Sequence, residues 1–469
     1  MDLILALSLS FAFLLLGTLQ RVFIAYPLAG AMGVFWVVLM RRGFGWQQLL
    51  RLAVQGSRRA LPVLNVLLLI GVVIASWMAA GTVPALVYYG VQWVHPQSFL
   101  LMAFLLTAGV SVLIGTSFGA VGTVGIALMM MAQGSDLAPT WLAGAVIAGA
   151  YVGDRCSPMS SSALLVAAVT HTRLYDNLRR MGRTSGLPLL LSGLVYWGLS
   201  WLHPIHLTQQ SLAADLDQIF HIQPLLLLPA VVILGLSIAQ VEVKRSMLAS
   251  AGVAIALALS YQHYSLGAIA RFLILGFHLE THTYLDAMLR GGGILSMARV
   301  ALVVLISTAF VGLFAGTHLL DAIQRYVARS STVNQTSASE PWGSETEGAI
   351  ALPANDPPPE NRLLMTGLVG LGAAAFGCTQ TIAILLTEQL MRPKYAASET
   401  GNAALALDLE NTVVVISALI PWNIAGLVPA TLLQTDYGFI PFACYLYLLP
   451  IAHLISLRLA SSTPSQPCN

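Results

Sequence analysis

Charge is what this 469-residue chain has least of: Asp, Glu, Lys and Arg together make up 9% of it, where a soluble domain carries about 25%. A surface facing water must be covered with charge and a surface facing lipid need not be, so the shortage excludes a soluble globular core. Acids and bases nearly cancel, 20 against 22, and a net charge of +2 makes nucleic acid an unsuitable partner. Cysteine is scarce as well. Cys156, Cys378, Cys444 and Cys468 are scattered with no C-x-x-C pair, which excludes a disulfide framework. No Ser/His/Asp arrangement stands out, no Gly-Lys-Ser/Thr follows the glycine-rich stretch as a phosphate loop requires, and Leu279 breaks the His-Glu-x-x-His order of a zinc protease.

What fills the chain instead is hydrocarbon: 57% of residues are hydrophobic and the mean hydropathy is +0.79. A span needs about 20 apolar residues, and apolar stretches recur near 3–19, 22–40, 61–80, 83–95, 98–114, 120–132, 139–170, 186–202, 223–241, 247–260, 294–316, 363–391, 403–433 and 438–457. The expectation is an all-α polytopic membrane protein with 11 to 13 transmembrane or re-entrant helices. Leu3–Leu19 lacks a basic n-region and a cleavage site and reads as a first span. The loops at 41–59 (Arg41, Arg42, Arg51, Arg58, Arg59), at 173–183 (Arg173, Arg179, Arg180, Arg183 against Asp176) and at Glu242–Arg245 are basic, whereas 203–222 has Asp215 and Asp217 and no Lys or Arg. By the positive-inside rule the first three face the cytoplasm, the fourth faces out and the N-terminus is cytoplasmic, the expected location being a bacterial inner membrane. Residues 327–362 form the one polar break, rich in Ser, Thr, Glu and Pro, and read as a flexible cytoplasmic linker, either a plain connector or a regulatory segment.

The two sides of that division rhyme. Gly81-Thr82 returns as Gly316-Thr317, 235 residues later; Gly115-Thr116-Ser117 returns as Gly377-Cys378-Thr379, offset 262; Ser157-Pro158 sits opposite Ile420-Pro421, offset 263. Paired interruptions of apolar runs point to a transporter site at the interface of two repeats. The basic start of the first unit and the mixed His278, Glu280, His282, Asp286 and Arg290 before the second fit inverted topology. The expected units are N-terminal helices 1–40, a first repeat 41–203, connecting helices 204–260 and a second repeat 261–469 that contains the linker.

Four groups of residues can carry chemistry. Gly115–Gly125 holds four glycines in an apolar run, and each weakens a helix by about 1 kcal/mol relative to Ala. Broken backbone at membrane depth survives only where it is buried or lines a cavity, and there the hydroxyls of Thr116, Ser117 and Thr123 offer hard oxygen ligands to a cation; a small-residue packing face is the other reading. Asp154 sits between apolar stretches, beside Ser157, Pro158 and Ser160. An intramembrane carboxylate is a site for a cation or a proton, or half of a structural pair near the surface; Arg155 is a poor partner for it because adjacent residues on a helix do not face each other. Glu410, Asn411 and Thr412 precede an apolar run that Pro421, Trp422 and Asn423 end, with Asp408 at an exposed helix start. Thr379-Gln380 occupies the second-half break. His278 and His282 share a helical face, and an interfacial segment is the expected reading rather than a zinc site.

These motifs resemble the NhaC-type Na⁺/H⁺ antiporter family. The stretches that carry the resemblance are Ile70–Pro96, Gly115–Ala127, Gly149–Ser160 (GAYVGDRCSPMS) and Leu419–Gly426 (LIPWNIAG), spread over both halves. Asp154, Gln380, Glu410, Trp422 and Asn423 match the family pattern. Ser161-Ser162-Ala163-Leu164 replaces an Asp-Thr-Thr-Asn, Thr379 replaces an Asp, Leu407 replaces an Arg and Asn411 replaces an Asp, so the chain reads as a divergent member. The resemblance implies a secondary transporter, not an enzyme, that exchanges Na⁺ for H⁺. The binding set is then Thr116, Ser117, Thr123, Asp154, Ser157, Ser160, Thr379, Gln380, Glu410, Asn411 and Asn423, with Asp154 and Glu410 as proton carriers. The expected partners are a small ion or solute and the lipid bilayer, with a homodimer allowed, and no cofactor or metal beyond transported Na⁺ and H⁺. A Na⁺- or H⁺-coupled carrier of an amino acid or small organic acid is the alternative, and a membrane enzyme or scaffold a distant third.

Overall fold

The computed structural model describes residues 2–20, 22–58, 60–93, 95–132, 135–205, 220–278, 291–317, 358–395 and 401–462. Asp215, Asp217, Glu280, His282, Asp286, Arg290 and residues 327–357 of the expected linker lie outside them. Among the described residues the chain is helical, with one isolated β-bridge between Phe277 and Gly291.

The helices are α1 (Asp2–Leu19), α2 (Ala25–Arg41), α3 (Trp46–Arg58), α4 (Leu61–Ala80), α5 (Thr82–Trp93) and α6 (Phe99–Ile114). After a break, α7 (Ser117–Ala120) runs through a π turn, Val121–Gly125, into α8 (Ile126–Ala132); α9 (Pro139–Cys156), α10 (Ser161–Val169) and α11 (Leu174–Leu202) follow. The middle holds α12 (Leu228–Ile238), α13 (Val243–Ser260), α14 (Leu266–Leu275) and α15 (Ala298–Gly316). The last group is α16 (Pro359–Gly377), α17 (Gln380–Tyr395), α18 (Gly401–Asn411), α19 (Val413–Ile416), α20 (Ile424–Leu432) and α21 (Cys444–Ser462).

Six helices among the described residues are long and apolar enough to cross a bilayer, and six more apolar helices are shorter. Large apolar side chains such as Leu19, Leu190, Trp201 and Leu368 stand exposed, each above 60%. Water would penalise that surface and lipid does not. Two stretches read as loops are helical. Leu49, Ala53 and Gly56 form an apolar stripe on α3 that lies on α15, where a Cβ on Gly56 would sit 2.3 Å from the Thr308 carbonyl. The arginines of 173–183 occupy the exposed side of the first turns of α11. The linker also ends earlier than its composition suggests, because Pro359 starts α16, and a proline suits a first helical turn, where its missing N–H is not needed.

At the two breaks the rhyme has one register, 263 residues, one residue later than expected at the first break; the Gly81/Gly316 pair, 235 apart, lies outside that register. Gly115 and Cys378 both take left-handed backbone, at φ 76° and 51°. Two residues on, α7 starts at Ser117 and α17 at Gln380. Ser160 and Asn423 are both extended N-caps, and α10 and α20 run Ser161–Val169 and Ile424–Leu432. Cys378, not Gly377, therefore takes the place of Gly115, and Gln380 stands opposite Ser117. The buried apolar residues fall into two clusters. Asp154 lies on a helix of one, Gln380 on a helix of the other, and α19 gives Val413 and Val414 to one and Val415 to the other.

Candidate functional site

Pro158 creates the first feature. It pushes Ser157 into extended backbone, φ −88° and ψ 139°, and α9 stops at Cys156. Pro158 also has no N–H to give the carbonyl of Asp154, four residues back. That carbonyl accepts the hydroxyls of Ser160 and Ser162 instead, the latter at 2.6 Å. Ser160 caps α10 in the same stroke, accepting the Ala163 N–H at 3.2 Å.

Glycine sets how close Asp154 comes to the first break. A Cβ on Gly149 would lie 2.5 Å from the Phe104 carbonyl oxygen, and one on Gly153 would lie 2.0 Å from the Ser111 carbonyl carbon. These two glycines, four apart on one face, let α9 and α6 meet backbone to backbone, and the Ser111 hydroxyl donates to the Ala150 carbonyl across the contact. α6 ends at Gly115, where a Cβ would meet the Met159 backbone at 2.7 Å, so the turn at 115–116 wraps the break in α9. The next helix then begins with the Ser117 N–H directed at Asp154 Oδ1, 3.4 Å away. A helix N-terminus carries partial positive charge and favours an anion there.

The second half reaches the same carboxylate. Gln380 donates from Nε2 to Asp154 Oδ2 at 3.2 Å and to the Val414 carbonyl at 3.0 Å. Tyr151, one turn before Asp154, donates to the Ala425 carbonyl at 2.8 Å. Asp154 is 5% exposed and is held by both breaks at once.

A second cluster surrounds Arg155, which is fully buried. Its guanidinium donates to Ser185, to Thr184 at 2.9 Å, to Tyr445 at 3.3 Å and to the Asn411 side-chain oxygen, so it ties α9 to α11, α21 and α18. Every partner is neutral, and Asp154 is not among them. Glu410 is 0% exposed and neither carboxylate oxygen has a hydrogen-bond donor, while Asn411 Nδ2 and Arg155 Nε also lack partners. The charges acting on Glu410 are those of Arg155 and Asp154. A buried carboxylate without donors costs several kcal/mol unless a proton or a cation neutralises it.

The expected residues thus divide. Ser117, Asp154, Ser160 and Gln380 meet directly; Asn411 bonds Arg155, and Glu410 is its buried neighbour in the chain. Thr116 and Thr379 lie in the two breaks, half-buried, with Thr379 accepting the Ile382 N–H at 3.3 Å. Thr123 turns back on its own helix, donating to the Gly119 carbonyl at 2.7 Å. Ser157 accepts the Met159 N–H at 3.2 Å. Asn423 is consumed as a cap: it accepts the Ala425 N–H at 3.0 Å and donates to the Ala374 carbonyl at 2.8 Å. Asp408 is no exposed helix start; it is buried inside α18 and bonded to Tyr395 and His453. Tyr151 joins the site with only its three-residue spacing from Asp154 as a sequence signal.

Gln380 yields a first prediction. Gln380→Leu keeps the volume and removes the donor, and a hydrogen bond to a charged group is worth about 1.5–3 kcal/mol. The apparent KM for the transported cation should rise about 10-fold or more, read from initial rates against cation concentration in proteoliposomes.

Apolar helices long enough to cross a bilayer, with two breaks that hold one buried acid between them, are features of a secondary transporter. The Na⁺/H⁺ antiporter family matches this sequence over residues 1–177, 149–339 and 354–460, and the chain belongs to that family. It is 28% identical over 397 residues to an uncharacterized Na⁺/H⁺ antiporter of Haemophilus influenzae, covering 82% of this chain and 80% of that protein. It is 26% identical to the malate-2H⁺/Na⁺-lactate antiporter of Bacillus subtilis, covering 90% and 87%. It is 25% identical to the Na⁺/H⁺ antiporter NhaC of Alkalihalophilus pseudofirmus, covering 88% and 85%. Identities near one quarter make it a divergent member. Among the described residues no three His, Cys, Asp or Glu side chains are grouped to hold a metal ion.

Proposed function

We propose that this chain exchanges Na⁺ for H⁺ at Asp154 and Glu410. The observation that carries the reading is the sharing of Asp154 between the Ser117 N–H of one half and the Gln380 amide of the other. Carboxylate, carbonyl and hydroxyl oxygens suit a hard cation; Ser117 and Ser160 meet Asp154, and the hydroxyls of Thr116 and Thr379, in the two breaks, would complete the set. With both acids ionised and Arg155 charged, the buried centre carries one net negative charge. One Na⁺ or one H⁺ neutralises it, and the two exclude each other by charge. Moving an uncompensated charge through the low-dielectric interior is costly, so the carrier reorients loaded and stays put empty. This makes the exchange obligatory and, on the buried charge count, one for one. The repeats 41–203 and 261–469, read as inverted, would rock about the centre, with 1–40 and 204–260 packed outside them. The basic segments favour an inner-membrane orientation with the N-terminus in the cytoplasm.

The test is Na⁺ added to proteoliposomes holding an acidic interior and a pH dye. Na⁺ should collapse the gradient, at a rate that clamping the membrane potential leaves within about twofold. A gradient indifferent to Na⁺ and Li⁺ overturns the reading. One observation favours a second cargo: Arg155 Nε and Asn411 Nδ2 are both donors without partners, and donors of this kind recognise a carboxylate. If malate or lactate collapses the gradient and Na⁺ alone does not, the organic-acid reading replaces the first.

A further inference from the structure

Two helices, one from each half, leave the Asp154 centre together. α10 starts at its cap Ser160, which bonds the Asp154 carbonyl, and α17 starts at Gln380, which bonds the carboxylate. They pack against each other, with Val166 of α10 and Ile384 and Met391 of α17 in one apolar cluster. At about 1.5 Å per residue, Val169 ends α10 about 14 Å out from Ser160, and Arg392 lies about 18 Å out from Gln380. There the helices are joined a second time: Arg392 Nη2 donates to the Val169 carbonyl at 2.5 Å. Val169 is the last residue of α10. Carbonyls at a helix end have no partner in their own helix, and the partial negative charge of that end favours a cation. Glu388, one turn back on α17 and 6% exposed, holds Arg392 Nε at 2.5 Å. The guanidinium is thus fixed between an acid of its own helix and the end of α10, although its side chain is 47% exposed.

The other half has the same seam without the clasp. In the 263-residue register, α7 and α8 stand where α17 does, and α20 stands where α10 does. Just past α10 and α20, His171 and Gln434 both take left-handed backbone at φ 53°, so the register holds to the outer ends. Met129 then occupies the place of Arg392, Gly125 that of Glu388 and Leu432 that of Val169. Neither Met129 nor Gly125 has a charge or a side-chain donor to give. Contacts at this seam are apolar: a Cβ on Gly125 would lie 2.8 Å from Val146 and 3.2 Å from Leu433.

We propose that Arg392 is a positioning residue of the exchange: by pinning the end of α10 to α17 it keeps shut the route from Asp154 to the face where α11 begins with its arginines. The proposal rests on the cation site at Asp154 and on the inverted repeats proposed above, which turn the two seams to opposite faces. Opening toward the basic face then requires one specific charged bond to break. Opening toward the other face requires only apolar surfaces to part. The bond therefore biases the carrier toward the state that is closed on the basic face. Losing it shifts the population the other way, and apparent affinity on a face follows the fraction of carrier open to that face.

The experiment supplies Na⁺ to one face or the other of uniformly oriented proteoliposomes and measures proton flux for the full-length wild type, Arg392→Ala and Arg392→Lys. Arg392→Ala should lower the apparent KM for Na⁺ about threefold or more on the face of Arg173 and Arg183, and should not lower it on the opposite face. Arg392→Lys keeps a charged donor and should fall between. A contact that only stabilises the fold would change yield or melting temperature and leave the ratio of the two KM values as in the wild type. A second readout needs no transport. Val166→Cys should react faster with a membrane-impermeant maleimide from the basic face when Arg392→Ala is also present, read on the peptide that contains residue 166. If Arg392→Ala does not purify as a single species, Glu388→Gln takes its place, with shifts in the same direction. A wild-type KM ratio in the folded variants overturns the clasp and leaves the exchange standing. A wild type whose proton gradient ignores Na⁺ overturns the exchange, and the labelling rate at 166 then decides the clasp: equal rates with and without Arg392 overturn it.

Discussion

Asp154→Asn should abolish Na⁺-driven proton movement, with initial rates falling at least about 100-fold, while the protein still purifies as a single species. The substitution preserves shape and removes two properties together. The side chain no longer titrates, and it no longer carries the charge that a cation or a proton must neutralise. Geometry adds to the loss. Asp154 accepts from two donors, the Ser117 N–H and the Gln380 amide, and an amide side chain has one acceptor end only. One of those donors must then face an NH₂ group, a mismatch worth about 1–3 kcal/mol. A hundredfold loss corresponds to about 2.7 kcal/mol at 1.36 kcal/mol per decade, so the local mismatch alone is of the right size before the missing charge is considered. The check is the initial rate of gradient collapse in proteoliposomes at matched protein density. Wild-type rates would remove Asp154 from the mechanism.

Gly153→Val should have the largest effect on stability. A first side-chain carbon at 153 would lie 2.0 Å from the Ser111 carbonyl carbon and 2.3 Å from the Val112 nitrogen. Those are backbone atoms with no rotamer to escape into. Overfilling a core where side chains can adjust costs about 1–3 kcal/mol, and separating α6 from α9 costs more, because it also opens the wrap of the 115–116 turn around Met159. The expected result is loss of the monodisperse species in detergent. Gly182→Ala is the control, since nothing lies within 4 Å of that position; it should leave the melting temperature unchanged or raise it, as Ala is the better helix former. Equal behaviour of the two variants would contradict the backbone contact at 153.

Composition made the membrane class legible, because charge density depends on what a surface faces and not on which residues touch. Asp154 was legible for a similar reason: an acid amid apolar residues, next to a helix-breaking Pro158, is costly wherever it points. Contact partners were harder. Gln380 and Thr379 are adjacent and equally polar in the sequence, and only the left-handed turn at Cys378 decides that Gln380, not Thr379, stands opposite Ser117. Asn423 matched the family pattern as a site residue, yet its side chain is taken up in capping α20 and bonding Ala374. Asp408 was the clearest misreading. Two residues apart on one helix, Asp408 and Glu410 point to different sides, and no periodic signal says that both sides are buried. His453 reaches Asp408 from 45 residues away in the chain, beyond the reach of any local pattern.

The left-handed turn at each break has a further consequence, for how relatives of this chain vary. At 115 a side chain of any kind would run into the backbone of Met159, so the position is closed to everything but glycine. At 378 the same backbone conformation already carries a thiol, at a conformational cost of about 1–3 kcal/mol for a non-glycine residue. The two halves thus differ in tolerance, and drift among homologous sequences should accumulate at the second hinge while the first stays fixed.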